Sequence, residues 1–361
     1  MRIDIQSDKN LINLSTVIHA YLCHLATNFV FKGKKVLIIG GTGSLGTALT
    51  RKLLDTEVDT IRIFSRDELK QIEMREKFTD KRLRFLIGDV RDVNRLSRAL
   101  EDIDIVIHAA ALKHVPVAEY NPFEAVKTNV YGAQNVIEAC FNKNVKTVLA
   151  IGTDKAVAPF NTYGATKLLM ERLFVSANYY KGDHDIKFMC VRYGNVLGSR
   201  GSIIPTLVNQ IKNGKKITIT DPNMTRFNIT MDQALQLIFR ALTNSNGGEV
   251  FVPKLQAYKV ADIKDAVLEL LHSNAATEII SVRPGEKYHE TLISKDETRN
   301  TYENEDDYII LEQQTKDEYL SNKTDVKKSN LKDQYSSDKV PLLSVDEIKK
   351  ILLEQKLLPI N

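Results

Sequence analysis

Tyr163 and Lys167 stand four residues apart, a short distance after Thr153-Asp154-Lys155. On a helix this spacing places the phenol and the ammonium on one face. A free tyrosine titrates near ~10 and is a poor base at neutral pH, but a neighbouring ammonium favours the phenolate. Such a pair can take a proton from an alcohol or a sugar hydroxyl. By itself the spacing more often marks two side chains on an ordinary surface helix. The elements that hold the pair therefore decide its meaning.

Thr147–Ile151 is an apolar run that reads as a buried strand ending just before Thr153. Pro159 and Asn161 bar a helix until Tyr163, after which apolar residues recur at helical spacing to Leu173 and Phe174. The pair is thus expected on a helix at the mouth of a sheet. Further upstream, Lys35–Ile39 is a continuous apolar strand followed by Gly40-Gly41-Thr42-Gly43-Ser44-Leu45-Gly46 and a helical run through Leu49 and Leu53. A turn without Cβ atoms lets a pyrophosphate approach a helix N-terminus, whose free N–H groups favour anions. Gly40, Thr42, Gly43, Ser44, Leu45 and Gly46 are therefore expected to hold a dinucleotide.

The second strand, Thr60–Phe64, ends in Ser65 and Arg66, with Lys70 one turn on, where an NAD site usually carries an acidic residue. A hydroxyl and cationic groups suit a 2′-phosphate, so the expected cofactor is NADP. Asp67 is the alternative ribose ligand but reads better as the N-cap of the next helix. The third and fourth strands, 83–87 and 103–107, are followed by Asp89 and Val90 and by Ala109, Ala110 and Ala111, at the edge where such sheets bind ligands. The expected fold is α/β: a doubly wound parallel sheet with a smaller C-terminal α/β substrate lobe. We divide the chain into an N-terminal extension at 1–32, a cofactor domain at 33–192 and a mainly substrate-binding lobe at 193–361.

Composition bounds the rest. The chain has 361 residues, 43% of them apolar and 27% charged, as in an ordinary soluble globular protein. A net charge of +4 with scattered lysines argues against nucleic acid as a partner. No signal peptide is legible, and no apolar stretch approaches the ~18 residues of a membrane span. Three cysteines, Cys23, Cys140 and Cys190, lack disulfide or zinc spacing and read as free thiols in a reducing, cytoplasmic setting; no metal site is expected. The pattern predicts an amphipathic helix at 11–25, a long polar loop at 313–339 and a short closing helix at 345–353. Arg200, Arg226 and Arg283 each lie beside a turn or a Gly-rich stretch, as a diphosphate-linked substrate would require.

Six segments carry a resemblance to a known family: SRDELKQ (65–71), HAAALKHVPVAEYNP (108–122), TDKA (153–156), YGATK (163–167), RYGNVLGSRGS (192–202) and RPGEKYHE (283–290). In this order they resemble the extended short-chain dehydrogenase/reductase superfamily and, within it, the configuration-inverting UDP-N-acetylglucosamine 4,6-dehydratases of pseudaminic acid synthesis. The resemblance implies a lyase that carries a hydride internally through NADP. Tyr163 with Lys167 would deprotonate the sugar O4, Lys155 would remove the C5 proton, and Asp154, beside Thr153, would protonate the departing C6 hydroxyl. Lys113, Lys155, Asn195, Val196, Ser199, Arg200, Arg226, Arg283 and Glu286 would bind the UDP-sugar. It also implies a homo-oligomer, dimer to hexamer, and a product inverted at C5, a 6-deoxy-4-keto sugar of the L-arabino series. Tyr163 within TYGATK supports inversion, because a phenol can donate a second proton where the thioether of the large retaining relatives cannot. The alternatives are a retaining 4,6-dehydratase, a UDP-sugar 4-epimerase with no use for Asp154-Lys155, and a non-catalytic NADP-binding regulator.

Overall fold

The computed structural model describes residues 28–359, so the expected helix at 11–25 and Cys23 lie outside the described residues. The apolar runs form a parallel sheet of β1 (Lys35–Ile39), β2 (Thr60–Ser65), β3 (Leu83–Ile87), β4 (Ile105–His108), β5 (Thr147–Ile151) and β6 (Lys187–Val191). Their spatial order is β3-β2-β1-β4-β5-β6. Val36, Leu37, Ile38 and Ile39 are wholly buried, which is why β1 reads as an unbroken apolar run without alternation. The strand order reverses between β1 and β4, whose register pairs Ile39 with His108. A doubly wound sheet opens its ligand crevice at this switch point. The doubly wound α/β fold expected from the sequence is present.

The sheet does not stop at β6. Val250–Pro253 adds in parallel, followed by antiparallel Asp307–Ile310, Thr301–Glu303 and Lys327–Lys328. A second core gathers Leu197, Ile204, Ile217, Tyr258, Ile263 and Leu352 under the later helices. The chain after residue 193 thus supplies both a second lobe and the far edge of the first lobe's sheet. Across this junction Arg192, fully buried, donates to Glu171 on one side (Nε–Oε2 3.0 Å) and to Glu297 on the other (2.9 Å). Removing one partner of such a buried group costs about 3–5 kcal/mol, because a desolvated charge is left behind.

The stretch expected as a long loop at 313–339 is partly ordered into elements. It contains the helix Lys316–Ser321 and the strands Lys327–Lys328 and Tyr335–Ser336. Two tyrosines provide the anchors: Tyr319 is fully buried, and Tyr335 packs on Phe227 with its hydroxyl donating to the Leu255 carbonyl. The closing helix is Val345–Glu354, started by a capping box of Ser344 and Glu347. No helix among the described residues is long and apolar enough to cross a membrane.

Candidate active site

The helix Thr162–Tyr180 begins where the sequence places it, with Asn161 as N-cap accepting from the Gly164 amide at 2.7 Å. Tyr163 and Lys167 occupy its first turns, both buried. Ahead of it, Thr153 caps a tight turn over Asp154–Ala156 that leaves the end of β5. The loop between is stapled from the other lobe. Lys287 Nζ donates to the carbonyls of Val157 and Ala158 at 2.7 and 2.8 Å, and Asn161 Nδ2 donates to the Gly285 carbonyl at 2.8 Å. Ala158 sits at a φ of 43°, a conformation a non-glycine residue keeps only where its surroundings over-determine it.

One cleft of about 920 Å³ collects almost every residue singled out from the sequence. Gly40, Thr42, Gly43, Ser44, Leu45 and Gly46 line one end, with Ser65, Arg66, Lys70, Val90 and Ala109 to Ala111 around them. Thr153, Lys155, Tyr163 and Lys167 line the middle. Lys113, Asn195, Val196, Ser199, Arg200, Arg226, Arg283 and Glu286 line the far part. Asp154 and Asp89 do not line it. Asp154 lies behind Lys155, 1% exposed, and Asp89 turns to Arg91, whose Nη2 is 2.7 Å from its carboxylate.

The dinucleotide end fits its ligand. A Cβ on Gly40, which has a φ of 83°, would lie 2.8 Å from the Ala110 nitrogen, so only glycine lets the two loops meet. The helix Ser44–Leu54 starts at Gly43 with no side-chain cap and no acidic residue in its first turn, leaving its amides to an anion. At the end of β2, Asp67 is engaged as the N-cap, accepting from the Lys70 amide at 3.0 Å and from Lys70 Nζ at 2.5 Å. Arg66 extends beside it, 3.7 Å from Asp89. This end of the cleft suits the pyrophosphate of a nucleotide cofactor. Across the cleft, the Arg200 amide donates to Ser44 Oγ at 3.2 Å and its guanidinium to the Thr42 carbonyl. Lys113 Nζ reaches the Arg200 carbonyl at 2.9 Å.

The chemistry-bearing centre is an ion cluster. Lys155 Nζ lies 3.1 Å from Asp154 Oδ1, 3.2 Å from Glu290 Oε1 and 3.3 Å from Asn195 Oδ1. Burial opposes the charge on Lys155, but Asp154 and Glu290 outweigh it and hold the amine above its usual range. Burial raises the Asp154 carboxyl, with the charge of Glu290 adding to the rise and Lys155 opposing it. Burial likewise pushes the Tyr163 phenol up to about 12, while the Lys155 charge favours its phenolate. Burial pulls Lys167 down to about 8, and its amine donates to the Ile151 carbonyl at 2.6 Å. The Lys155 charge thus acts on the phenol alongside the neighbouring Lys167 of the same helix. Thr153 Oγ1 connects the parts, donating to Asp154 at 2.9 Å and meeting the Tyr163 phenol.

Sequence reasoning missed three residues of this site. Asn129 sits in a π-turn over Lys127–Tyr131 and binds the Leu112 backbone (2.8 and 3.1 Å) and Thr166, fastening the loop after β4 to the helix of Tyr163. Lys287 and Glu290 stand within RPGEKYHE, but nothing in their spacing points back to the TDKA turn. Arg226, expected at a diphosphate, is only 7% exposed. It spends its donors on the Thr225 and Tyr288 carbonyls (2.8 and 3.0 Å) and on Glu286 (3.2 Å), with Nε 3.8 Å from Glu290. Among the described residues, no group of three or more His, Cys, Asp or Glu side chains could hold a metal ion.

The chain is similar to known proteins along most of its length. The family described as polysaccharide biosynthesis protein matches residues 36–312. A Campylobacter jejuni protein named UDP-N-acetylglucosamine 4,6-dehydratase (inverting) is 47% identical over 321 residues, 87% of this chain and 95% of its own. A Rickettsia rickettsii protein named UDP-glucose 4-epimerase is 38% identical over 329 residues, 90% of this chain and 96% of its own. The X-ray structure of Pen from Bacillus thuringiensis superposes with a TM-score of 0.86 at 42% identity, covering 91% of this chain and 99% of that one. With its glycine turn, its Tyr163–Lys167 helix and these matches, the chain belongs to the polysaccharide biosynthesis protein family within the extended short-chain dehydrogenase/reductases.

Proposed function

We propose that the protein is a UDP-N-acetylglucosamine 4,6-dehydratase that inverts C5 and uses NADP. The observation that carries this reading is the Asp154–Lys155 pair, 3.1 Å apart, in the same site as the Tyr163–Lys167 helix. Tyr163 and Lys167 suffice for oxidation and reduction at C4. An acid and a base beside them serve elimination across C5 and C6.

When bound, the nicotinamide supplies the chemistry of accepting the C4 hydrogen with its electron pair and returning it at C6. The chain's own groups move the protons. Tyr163, as the phenolate that the Lys155 charge favours, takes the O4 proton as the C4 ketone forms. One proton passing from Lys155 Nζ to Asp154 Oδ1 makes a neutral amine and a neutral acid together. The amine then removes the C5 proton, acidified by the ketone, and Asp154 protonates the leaving C6 oxygen as water. Tyr163, still holding the O4 proton, delivers it to the opposite face of C5. Taking the C5 proton restores the Lys155 ammonium, giving one up restores the Asp154 carboxylate, and the count closes with the loss of one water. Delivery by Tyr163 on the far face is what inverts C5. The epimerase reading draws on the Rickettsia relative but leaves the Asp154–Lys155 pair without work.

Arg200, Arg283 and Lys113, all on the cleft wall, suit the diphosphate of the UDP-sugar. NADP is supported by Ser65, Arg66 and Lys70 at the end of β2, with Asp67 already engaged by Lys70. A homo-oligomer, dimer to hexamer, is supported by apolar surface at Val117, Tyr120, Phe123 and Tyr131. Light scattering is expected to give a multiple of 40.8 kDa, and a monomer mass would contradict the assembly.

Single-turnover measurements separate the steps. Tyr163→Phe is expected to abolish the appearance of reduced cofactor. Lys155→Ala is expected to oxidise C4 but lose about 100-fold or more in elimination, stranding a 4-keto sugar. Normal dehydration by Lys155→Ala would assign the base to another residue. Arg66→Ala is expected to weaken NADP by about 1.5–3 kcal/mol, one charge-assisted contact, and leave NAD unchanged. An unaltered NADP affinity would remove Arg66 from that role.

A further inference from the structure

The ion cluster holds two carboxylates and one lysine, and the two carboxylates differ in what else surrounds them. Glu290 Oε1 is 3.2 Å from Lys155 Nζ and 3.8 Å from Arg226 Nε. Its other oxygen is buried and has no hydrogen-bond partner, so the charge of Glu290 is answered by those two cations. Asp154 has Lys155 and the Thr153 hydroxyl, and its Oδ2 faces Gly194, where an added Cβ would lie 2.9 Å away. Glu290 is also rigidly placed. Its amide donates to Ser337 Oγ at 2.9 Å, the Ser337 amide donates to its carbonyl at 2.9 Å, and Ser337 Oγ meets Thr225 Oγ1 at 2.7 Å. One buried serine thereby fixes Glu290 relative to the strand that carries Arg226.

We infer that Glu290, neutralised by Arg226, is the positioning residue that holds Lys155 in the cleft and leaves Asp154 as the carboxylate that exchanges a proton with it. The inference rests on the dehydratase reading and adds a residue to it. In the exchange, the Nζ–H bond of Lys155 breaks and an O–H bond forms on Asp154. Lys155 and Asp154 become neutral together, while Glu290 and Arg226 keep their charges. The surroundings push the two carboxyls apart in this sense. Burial and the Glu290 charge raise Asp154, whereas for Glu290 the nearby Lys155 and Arg226 outweigh burial and lower it. Lys287, Tyr258 and Tyr163 also face the cluster. Lys287 is 2.7 and 2.8 Å from the carbonyls it caps, so its charge is tied to the neighbouring loop.

Elimination needs the proton shared by Asp154 and Lys155 and is lost as pH rises through the titration of that pair. Removing the negative charge of Glu290 leaves Arg226 unbalanced, favours ionised Asp154 and moves that alkaline limb to lower pH. The test follows C4 oxidation (reduced cofactor) and elimination (loss of water) in single turnovers with UDP-N-acetylglucosamine across pH. Glu290→Gln is expected to oxidise C4 near the wild-type rate, to eliminate about 100-fold more slowly, and to lose elimination at lower pH. Glu290→Asp is expected to keep the wild-type position of the limb. Equal loss in both steps, or an unshifted limb in Glu290→Gln, would overturn the role. If Glu290→Gln does not fold, Glu290→Asp carries the test. A fall in elimination alone supports the role, and equal falls in both steps overturn it. A wild-type protein that oxidises C4 and never loses water defeats the dehydratase reading and this role with it, before any substitution is made.

Discussion

The site depends on one lysine held by two carboxylates in a nearly dry place. Lys155 meets Asp154 at 3.1 Å and Glu290 at 3.2 Å, and both acids are almost wholly buried. Two anions and one cation cannot be buried together cheaply. Arg226 supplies the second cation, and because it lies on the Glu290 side, it breaks the symmetry between the acids. The other constraints follow from holding these groups in register. The tight turn capped by Thr153, the left-handed Ala158 and the Lys287 staple fix the segment that carries Asp154 and Lys155. Ser337 fixes the segment that carries Glu290.

The fold brings these segments together through the sheet. β5 ends at the Thr153 turn, and β4 and β1 end at the glycine and alanine loops, so their carboxyl ends open on one crevice. The continuation of the sheet through Val250–Pro253 and Asp307–Ile310 draws the C-terminal part of the chain back to the first lobe. The same return places Thr291–Ile293 against Tyr335–Ser336, just beside Glu290 and Ser337. A sugar nucleotide site built from both halves of the chain therefore inherits its rigidity from one sheet.

Much of this was legible in the sequence where local physics decides. The unbroken apolar run of β1 and the glycines after it specify a strand, a turn and a helix without outside help. So do Pro159 and Asn161, which bar a helix until the one that carries Tyr163 begins at Thr162. What was illegible depends on contacts over long separations. The 313–339 stretch looks like a loop by composition, because its order comes from Tyr319 and Tyr335 inserted into a core built elsewhere. Glu290 is invisible for the same reason. It lies 135 positions from Lys155, and only the paired strands and Ser337 bring it there. Charge alone also did not reveal that Arg226 and Lys167, both on the cleft wall, donate to protein carbonyls as well.

The central claim is that this cleft removes water from a UDP-N-acetylhexosamine by joining C4 oxidation to elimination at C5 and C6. It is tested most directly by incubating the purified protein with UDP-N-acetylglucosamine in deuterium oxide and reading the product by mass spectrometry and NMR. The account predicts loss of one water with deuterium at C5 and ring couplings of the L-arabino 4-keto sugar at the earliest times. A product of unchanged composition, epimerised at C4, or a first-formed D-xylo ketone would contradict it.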